Sequence, residues 1–265
     1  MILVIGDIIL DNSVEYKSNR ISPEAPVPIL NYTKKKFFLG GAANVANNIK
    51  KIGSPVYLIS KTGNDTNSKI LQSLIRKNKI KSKIFTSNGK CTVKKRLFNN
   101  EKMIARVDND IKINFSNPEL NNVIKFIRKN IKKFSLLIVS DYNKGIINNN
   151  FLQKIFKIFN FHNKLIIVNP KKPKLKIYDG CQLIVPNLKE FNNFFSGKIS
   201  LKQKFDKIFK TLSSLESIIV TRGEKNLIFK KKNENLKYFK VKKVKPIDVT
   251  GASDTFIAIL SVFLS

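Results

Sequence analysis

Asp254 directly follows a turn of small residues at the start of an apolar segment. The sequence over 248–255 reads Asp-Val-Thr-Gly-Ala-Ser-Asp-Thr. A small-residue turn that enters a helix directs several backbone N–H groups at one point, and the helix dipole adds positive potential there. This predicts an anion cradle at Gly251, Ala252 and Ser253, with Asp254 as a carboxylate that accepts a hydroxyl proton. Alternatively, Asp254 merely caps the helix and Gly251 is a turn residue.

A second glycine turn lies near the N-terminus, where Gly40 and Gly41 precede a helical pattern. Glycines there would let a ligand approach the backbone, and Asn44 would supply an amide donor and acceptor. The alternative is a plain tight turn followed by a helix-facing Asn. Asp7 and Asp11 lie at the end of the first predicted strand, and both could bind sugar hydroxyls. Asp7 could equally be a solvated strand-end residue, so Asp11 is the preferred ligand.

Two further polar groups follow apolar runs in the second half of the chain. Asn187 and Glu190 are three residues apart at the start of a helix, so they could order Mg²⁺ through water. The same spacing is typical of an N-cap Asn with a capping-box Glu, and the two interpretations are compatible. Thr221, Arg222 and Gly223 are either nucleotide contacts or a simple strand-end turn.

These polar groups stand at the ends of short apolar segments that alternate with helical ones. The apolar segments are predicted to be buried strands, at Met1–Ile9, Val56–Ser60, Leu136–Ser140, Leu165–Val168, Leu183–Val185 and Ser217–Thr221. The helical patterns lie at Ala42–Ile52, Asn67–Lys77, Asn117–Lys132, Asn149–Phe159 and Leu201–Leu212. Such alternation predicts an α/β fold, a doubly wound and mostly parallel sheet with helices on both faces.

Two stretches break this rhythm. Residues of about 13–38 and 92–108 alternate without a helical period, which predicts antiparallel strands of a small accessory sheet. A lid at that place would cover the ends of the parallel strands, where open α/β sheets bind ligands. With no internal repeat or flexible linker, residues 1–265 are expected to form a single domain. The charged run Lys230–Asn235 is expected to be an exposed hairpin loop.

The formal net charge of +32 is the most conspicuous property of the composition. Of 50 basic residues only six are arginine, and the lysines are spread along the chain beside abundant Asn and Ile. This favours compositional drift over a polyanion-binding surface, which would concentrate Arg with interleaved aromatic residues. We therefore expect no specific nucleic-acid partner.

Other classes of protein are disfavoured as well. The sequence has neither a secretory signal nor an apolar run of roughly 20 residues, so no membrane association is expected. Cys91 and Cys181 are too few and too scattered for a disulfide framework or a metal site. A cytoplasmic protein is the expectation.

Taken in order, the motifs are similar to those of the ribokinase/PfkB family of sugar kinases. Ser22–Pro28 (S-P-E-A-P-V-P) and Ser140–Gly145 (S-D-Y-N-K-G) resemble the members that phosphorylate D-glycero-β-D-manno-heptose 7-phosphate. The resemblance runs from Met1 to the last residues. It implies an ATP-dependent, Mg²⁺-assisted kinase that forms the 1,7-bisphosphate, a precursor of ADP-heptose and the lipopolysaccharide core. It is also compatible with a homodimer that forms through the β lid.

The resemblance also implies a role for each matching residue. Asp254 would be the catalytic base, and Gly251 to Ser253 would form the anion hole. Asn187 and Glu190 would serve nucleotide and Mg²⁺, and Thr221 to Gly223 would line the ATP side. Residues that would contact the sugar or its phosphate are Asp11, Gly40, Gly41 and Asn44, with Arg20, Lys95 and Arg96 on the lid segments.

The chain departs from the family pattern in four places, of which the mildest is Asn226 in place of a usual Gly, since Asn tolerates left-handed geometry. Ser253 replaces a usual Gly, which predicts crowding of the phosphate or backbone strain, and Asn169 replaces a usual Asp. The sequence also stops at Ser265, before the segment that would complete the adenine pocket. We expect apolar side chains of the last helix to be left exposed, including Phe256, Ile259 and Phe263. The alternatives are therefore a relic that binds nucleotide or sugar without turnover, or a PfkB-type kinase for another sugar.

Overall fold

The computed structural model describes residues 1–197, 199–242 and 250–265, and a nine-stranded sheet forms its centre. Its strands are β1 (Ile2–Gly6), β4 (Val56–Thr62), β5 (Lys81–Thr86), β8 (Leu136–Ser140), β9 (Leu165–Asn169), β10 (Leu183–Ile184), β11 (Ser217–Val220), β12 (Leu227–Lys231) and β13 (Lys237–Phe239). The helices are α1 (Ala42–Lys51), α2 (Thr66–Lys77), α3 (Asn117–Asn130), α4 (Asn149–Phe161), α5 (Leu188–Asn193), α6 (Leu201–Thr211) and α7 (Ala252–Phe263).

The strand order in this sheet is β13-β12-β11-β10-β9-β8-β1-β4-β5. Neighbours from β11 to β5 pair in parallel, and β12 and β13 add an antiparallel hairpin at one edge. The chain leaves β1 towards β4 and returns to β8 on its other side. The order therefore reverses beside β1, which is where open α/β sheets form a ligand crevice beyond the carboxyl ends of their strands.

Apolar residues are buried on both faces of the sheet. Alternate residues of β1 point to opposite sides, so Leu3 and Ile5 join one core and Ile2 and Val4 join the other. The first core includes residues of α3, α4, α5 and α6, and the second includes residues of α1, α2 and α7. The predicted doubly wound α/β fold is confirmed.

A second, four-stranded sheet has the order β3-β2-β6-β7. Its strands are β2 (Ile8–Lys17), β3 (Asn31–Gly41), β6 (Val93–Asn99) and β7 (Lys102–Asn109). The pairs β2–β3 and β6–β7 are antiparallel, whereas β2 and β6 pair in parallel. The parallel pair arises because β2 and β6 belong to two separate hairpins, and the sequence pattern did not predict it.

The apolar run Met1–Ile9, predicted as one strand, is divided between the two sheets. β1 ends at Gly6 in the large sheet, and β2 begins at Ile8 in the small one. Asp7 lies between them and is almost completely buried. The prediction of a hairpin loop at Lys230–Asn235 is confirmed in part. Lys230 and Lys231 end β12, and the rest of the run connects β12 to its antiparallel partner β13. Within the described residues, no helix is long and apolar enough to cross a membrane.

Candidate functional site

The helix α7 begins at the wall of a cavity and carries Asp254 in its first turn. Gly251 is the N-cap residue, with a left-handed backbone at φ 76° that favours glycine. The backbone N–H groups in the first turn of any helix lack acceptors within the helix, and Gly251 has no side chain to supply one. Asp254 is only 3% exposed. The predicted cradle and carboxylate therefore share one helical turn.

Two neutral donors hold the carboxylate of Asp254. Asn44 Nδ2, from α1, donates to Oδ2 at 2.9 Å, and the hydroxyl of Tyr142 donates to Oδ1. Burial raises the pKa of Asp254, while these two hydrogen bonds lower it and leave a net upward shift. Burial and the adjacent Asp254 raise the pKa of Tyr142 well above its usual value, so this phenol stays protonated and acts as a donor.

Gly251 also allows α1 and α7 to approach each other. A Cβ atom at Gly251 would lie 2.6 Å from Asn44 Nδ2, far inside van der Waals contact. Gly41 has φ 60°, and a Cβ there would lie 2.3 Å from the carbonyl oxygen of Asp7. A Cβ at Gly40 would lie 2.4 Å from the carboxylate of Asp11. These glycines thus bring Asn44 and Asp11 to the site by close packing.

Asp7 does not face the cavity, contrary to both interpretations of it as a sugar ligand or a solvated strand end. Its carboxylate accepts backbone N–H groups of Tyr142 at 2.8 Å and of Lys144 and Ile146 at 3.1 Å each. Burial raises its pKa, and these hydrogen bonds oppose the shift. Asp7 is therefore an anchor that fixes the segment after β8, because the end of β1 adjoins the end of β8.

Asp141 forms a second anchor for the same segment. It is 2% exposed, accepts the backbone N–H of Asn143 at 2.7 Å, and accepts the hydroxyl of Tyr178 at 2.6 Å. Burial, with a contribution from Asp7, raises the pKa of Asp141 to about 6. The hydroxyl of Tyr178 in turn accepts the backbone N–H of Lys172 at 3.1 Å. This buried network connects the segment that carries Tyr142 to the one that follows β9.

The cavity in front of Asp254 has a volume of about 580 Å³ and lies between the two sheets. From the small sheet, its lining includes Asp11 and three basic residues, Lys94, Arg96 and Arg106. Arg96 Nη1 donates to Asp11 Oδ1 at 2.7 Å. Burial lowers the pKa of Lys94, and Asp11 partly restores it. The cavity thus combines a proton acceptor with cations that suit an anionic ligand.

Two of the predicted phosphate ligands are not brought to this cavity. Lys95 lies between Lys94 and Arg96 in β6, and alternation along a strand places it on the opposite face of the small sheet. Arg20 is exposed in the connection between β2 and β3 and does not line the cavity. The prediction of Arg96 at the cavity agrees with the structure, whereas Lys94 and Arg106 were missed. Strand periodicity anchored on Arg96 could have found Lys94.

The predicted nucleotide residues meet at the ends of β10 and β11. Asn187 forms a parallel bridge with Thr221, and the backbone N–H of Leu188 donates to the Thr221 carbonyl at 2.9 Å. Asn187 and Glu190 form both hydrogen bonds of a capping box, each at 2.9 Å. Glu190 Oε1 also accepts from Lys171 Nζ at 2.8 Å. Arg222 and Gly223 continue the turn after Thr221.

The capping-box interpretation is therefore confirmed, and a role in metal binding stays a prediction. Glu190 is 8% exposed, and both of its carboxylate oxygens already accept hydrogen bonds. In the part of the chain that the structure describes, no group of three or more His, Cys, Asp or Glu side chains could hold a metal ion. Direct coordination by a protein cage is thus unsupported there. A hydrated Mg²⁺ needs fewer protein ligands.

The predicted backbone strain at Ser253 is wrong. Ser253 lies inside the first turn of α7, and it is not among the described non-glycine residues with positive φ. The left-handed position belongs to Gly251, two residues earlier. Asn169, the other substitution, ends β9 and is 6% exposed. Asp248 and Val249 of the sequence motif lie outside the described residues.

The predicted exposure of the last helix is confirmed in part. Ile259 is 43% exposed and Phe263 is 85% exposed, whereas Phe256 is partly buried against the core beside α1. Tyr142 was missed as a site residue even though its segment, Ser140–Gly145, was singled out. Its position two residues after the end of a buried strand was the signal that could have revealed it.

A family model described as "pfkB family carbohydrate kinase" matches residues 1–265. The bifunctional protein HldE of Helicobacter pylori strain G27 is 36% identical over 268 residues, with 99% of this chain and 58% of that protein covered. HldE of Aliarcobacter butzleri is 34% identical over 276 residues, with coverage of 99% and 56%. The chain therefore spans little more than half the length of these relatives.

Solved structures agree on the fold. Phosphofructokinase-2 from Escherichia coli, in complex with potassium, superposes with a TM-score of 0.75 at 15% identity, covering 99% of this chain and 85% of that one. Ribokinase from Giardia lamblia gives a TM-score of 0.75 at 15% identity, with coverage of 98% and 82%. At such identities the likeness concerns the fold alone. Because the family model matches the chain from its first residue to its last, the chain belongs to the pfkB family of carbohydrate kinases.

Proposed function

We propose that this chain transfers the γ-phosphate of ATP to a hydroxyl of a sugar phosphate. The observation that carries the proposal is the shared first turn of α7, at the wall of a cationic cavity. It combines Asp254 with backbone amides that no side chain of the described residues caps. A carboxylate beside the reacting hydroxyl accepts its proton as the oxygen attacks phosphorus. Backbone N–H groups at the helix start stabilise the charge on the transferring phosphoryl group.

The sugar is proposed to lie in the cavity between the sheets. Asp11 would accept its hydroxyl groups, and Asn44 would hold the base that receives the reacting proton. Lys94, Arg96 and Arg106 would bind the phosphate of the substrate, since charge-assisted hydrogen bonds to phosphate are stronger than neutral ones. Arg96 is paired with Asp11, so a bound phosphate would compete with that carboxylate for the guanidinium.

Heptose 7-phosphate is the proposed substrate within this class. The segments Ser22–Pro28 and Ser140–Gly145 resemble heptose 7-phosphate kinases, and two HldE proteins are 34–36% identical over 99% of the chain. The product would then be the 1,7-bisphosphate, on the route to ADP-heptose and the lipopolysaccharide core. A PfkB-type kinase for another sugar is the alternative in the same class.

The nucleotide is proposed to bind beside the ends of β10 and β11. Asn187 and Thr221 adjoin there, and the turn through Arg222 and Gly223 presents further polar groups. Asn187 and Glu190 would hold Mg²⁺ through water, which fits a carboxylate that already accepts two hydrogen bonds. When bound, Mg²⁺ would neutralise charge on the nucleotide phosphates.

The small sheet is proposed to act as a lid within a single kinase domain. It supplies the wall of the cavity that faces Asp254, so its displacement would open the site to solvent. Its other residues include exposed apolar side chains, among them Tyr32, Phe38 and Ile104, which would suit a homodimer through this sheet.

Replacement of the base tests the proposed function. Asp254→Asn should lower kcat by roughly 10²–10⁴-fold with little change in ATP affinity, because a positioned general base contributes that much. ADP release is measured with heptose 7-phosphate, its dephosphorylated form and other sugar phosphates. Asp206→Asn, which changes an exposed charge in α6 away from both proposed binding sites, is the control.

Equal rates for the wild type and Asp254→Asn would contradict the role of the base. Highest kcat/KM with an unphosphorylated sugar would contradict the substrate class. Tight binding of ATP and sugar phosphate without ADP release would instead support the alternative of a relic. The helical conformation of Ser253 removes one argument for that alternative, since no strained backbone disturbs the amides there.

A further inference from the structure

The carboxylate of Asp254 receives one neutral donor on each oxygen. Asn44 Nδ2 donates to Oδ2, and the hydroxyl of Tyr142 donates to Oδ1. Two donors on different oxygens fix the plane of a carboxylate, while each oxygen keeps a lone pair for a further hydrogen bond. Asn44 was expected at the site, but Tyr142 was not. The phenol lies at the cavity wall beside the base.

The backbone of Tyr142 is held more firmly than a surface loop would be. Its N–H donates to Asp7, and the N–H groups of Lys144 and Ile146 donate to the same carboxylate. The N–H of Asn143, between them, donates to Asp141. Buried carboxylates that accept backbone donors restrict the motion of the segment carrying them. Lys94 Nζ lies 5.4 Å from the centre of the Tyr142 ring and covers its face.

We propose that Tyr142 is a positioning residue for phosphoryl transfer, whose hydroxyl keeps the Asp254 carboxylate oriented and ionised for proton acceptance. This inference rests on the proposed function of Asp254 as the base. Tyr142 itself does not exchange a proton in this scheme, because its hydroxyl donates to an anion and is buried. It acts through Asp254, in the way that an orienting group acts on a base in other enzymes.

The ionisation of Asp254 reflects all the groups that face it. Asp11 from β2 disfavours the charged form, and Lys94 from β6 favours it. Arg96, Arg106 and Glu101 line the same cavity, and α1 contributes the neutral Asn44. Burial is the largest influence and raises the pKa, so the two donors counteract it. Removing the phenol hydroxyl should therefore raise the pKa of Asp254 further.

The first experiment compares pH profiles of kcat/KM for the wild type, Tyr142→Phe and Tyr57→Phe. Tyr57 is a matched control because it is partly buried in β4, against Phe126 and Phe134, and does not line the cavity. Tyr142→Phe should shift the acidic limb up by about one pH unit. Activity should fall about tenfold below that limb and recover as the pH rises, since one pKa unit is a tenfold change in ionisation. Tyr57→Phe should leave the limb in place.

A second readout does not depend on turnover. Carboxyl ¹³C NMR of protein labelled at aspartate, with the Asp254 signal assigned by its loss in Asp254→Asn, follows the titration of that group directly. 3-Fluorotyrosine incorporated at position 142 keeps the side chain's shape and makes its hydroxyl a stronger donor, so the Asp254 pKa should fall. This variant tests whether the Tyr142 hydroxyl controls the pKa of Asp254 even if Tyr142→Phe does not fold.

The outcomes separate the inference from the proposed function. A raised Asp254 pKa in Tyr142→Phe, together with the shifted kinetic limb, supports the inference. An unchanged Asp254 titration in both position-142 variants overturns it, even if the enzyme is a sugar kinase. A uniform loss of activity at every pH also overturns it, since that indicates a merely structural role. A shifted titration in a protein without kinase activity refutes the proposed function, and the positioning role fails with it.

Discussion

Replacement of Gly251 by alanine tests how closely α1 and α7 must approach. The added methyl group has two separable effects. It forces a left-handed backbone, φ 76°, on a residue with a Cβ atom, and it places that atom 2.6 Å from Asn44 Nδ2. Since carbon and nitrogen cannot approach so closely, Asn44 must turn away, and its 2.9 Å hydrogen bond to Asp254 must break.

The two effects have different magnitudes. The left-handed conformation costs about 1–2 kcal/mol for an L-residue. A hydrogen bond to a charged group contributes about 1.5–3 kcal/mol, so its loss adds that amount. Gly251→Ala should thus lower the free energy of unfolding by about 2.5–5 kcal/mol. Gly53→Ala is the matched control, because Gly53 has φ 94° and a methyl group there would meet no atom within 4 Å. Only the backbone cost of about 1–2 kcal/mol applies to it.

Urea unfolding of a double-mutant cycle measures the difference. In an Asn44→Ala background the clash and the hydrogen bond are both absent. Gly251→Ala should then cost only about 1–2 kcal/mol, as Gly53→Ala does. Strict additivity of Gly251→Ala and Asn44→Ala would refute the reasoning, because the contact between the two residues would then carry no energy.

Three further predictions concern charge. Lys94→Met should raise KM for a sugar phosphate by about 10–100-fold, because a charge-assisted contact is lost. Lys95→Met should change KM by no more than about twofold. Equal effects would contradict the placement of Lys94 and Lys95 on opposite faces of the small sheet. A folded-state pKa of about 6 for Asp141 makes its contribution to stability largest below pH about 4, and about 3 kcal/mol should be lost as pH rises through 6. Asp141→Asn should flatten that fall in urea titrations, and an unchanged slope would contradict it. Duplex DNA should bind weakly, without sequence preference and less as salt rises, and sequence-selective binding at physiological salt by fluorescence anisotropy would contradict this.

The sequence was informative wherever a residue's environment is set by its neighbours along the chain. The strands and helices of the large sheet followed from apolar runs and helical periodicity, because parallel strands are buried on both faces. Asn187 and Glu190 form the capping box that their spacing indicates. In the same way, Asp254 lies in the first turn of a helix after a small-residue turn.

Contacts between residues that are distant in sequence could not be predicted. Asp7 accepts N–H groups from residues more than 130 positions away, and no local pattern reveals such partners. Lys94 and Lys95 are both lysines, so residue type does not distinguish them. Only the register of β6 beside β2 determines which of the two lies on the same face as Asp11. The strain expected at Ser253 was wrong because this residue has a helical backbone, and the left-handed position of the turn belongs to Gly251.

The hydrogen bond between Asn44 and Asp254 spans 210 residues of sequence. At a synthesis rate of about 5–20 residues per second, Asp254 is therefore added about 10–40 s after Asn44. In that interval the side of α1 that packs on α7 has no α7 to cover it. Contacts of such high sequence separation also form slowly in refolding, because loop-closure entropy opposes them. Asp254 and its amide donor Asn44 should thus come together among the last steps of folding, and nascent chains should depend on chaperones until residue 254 has emerged.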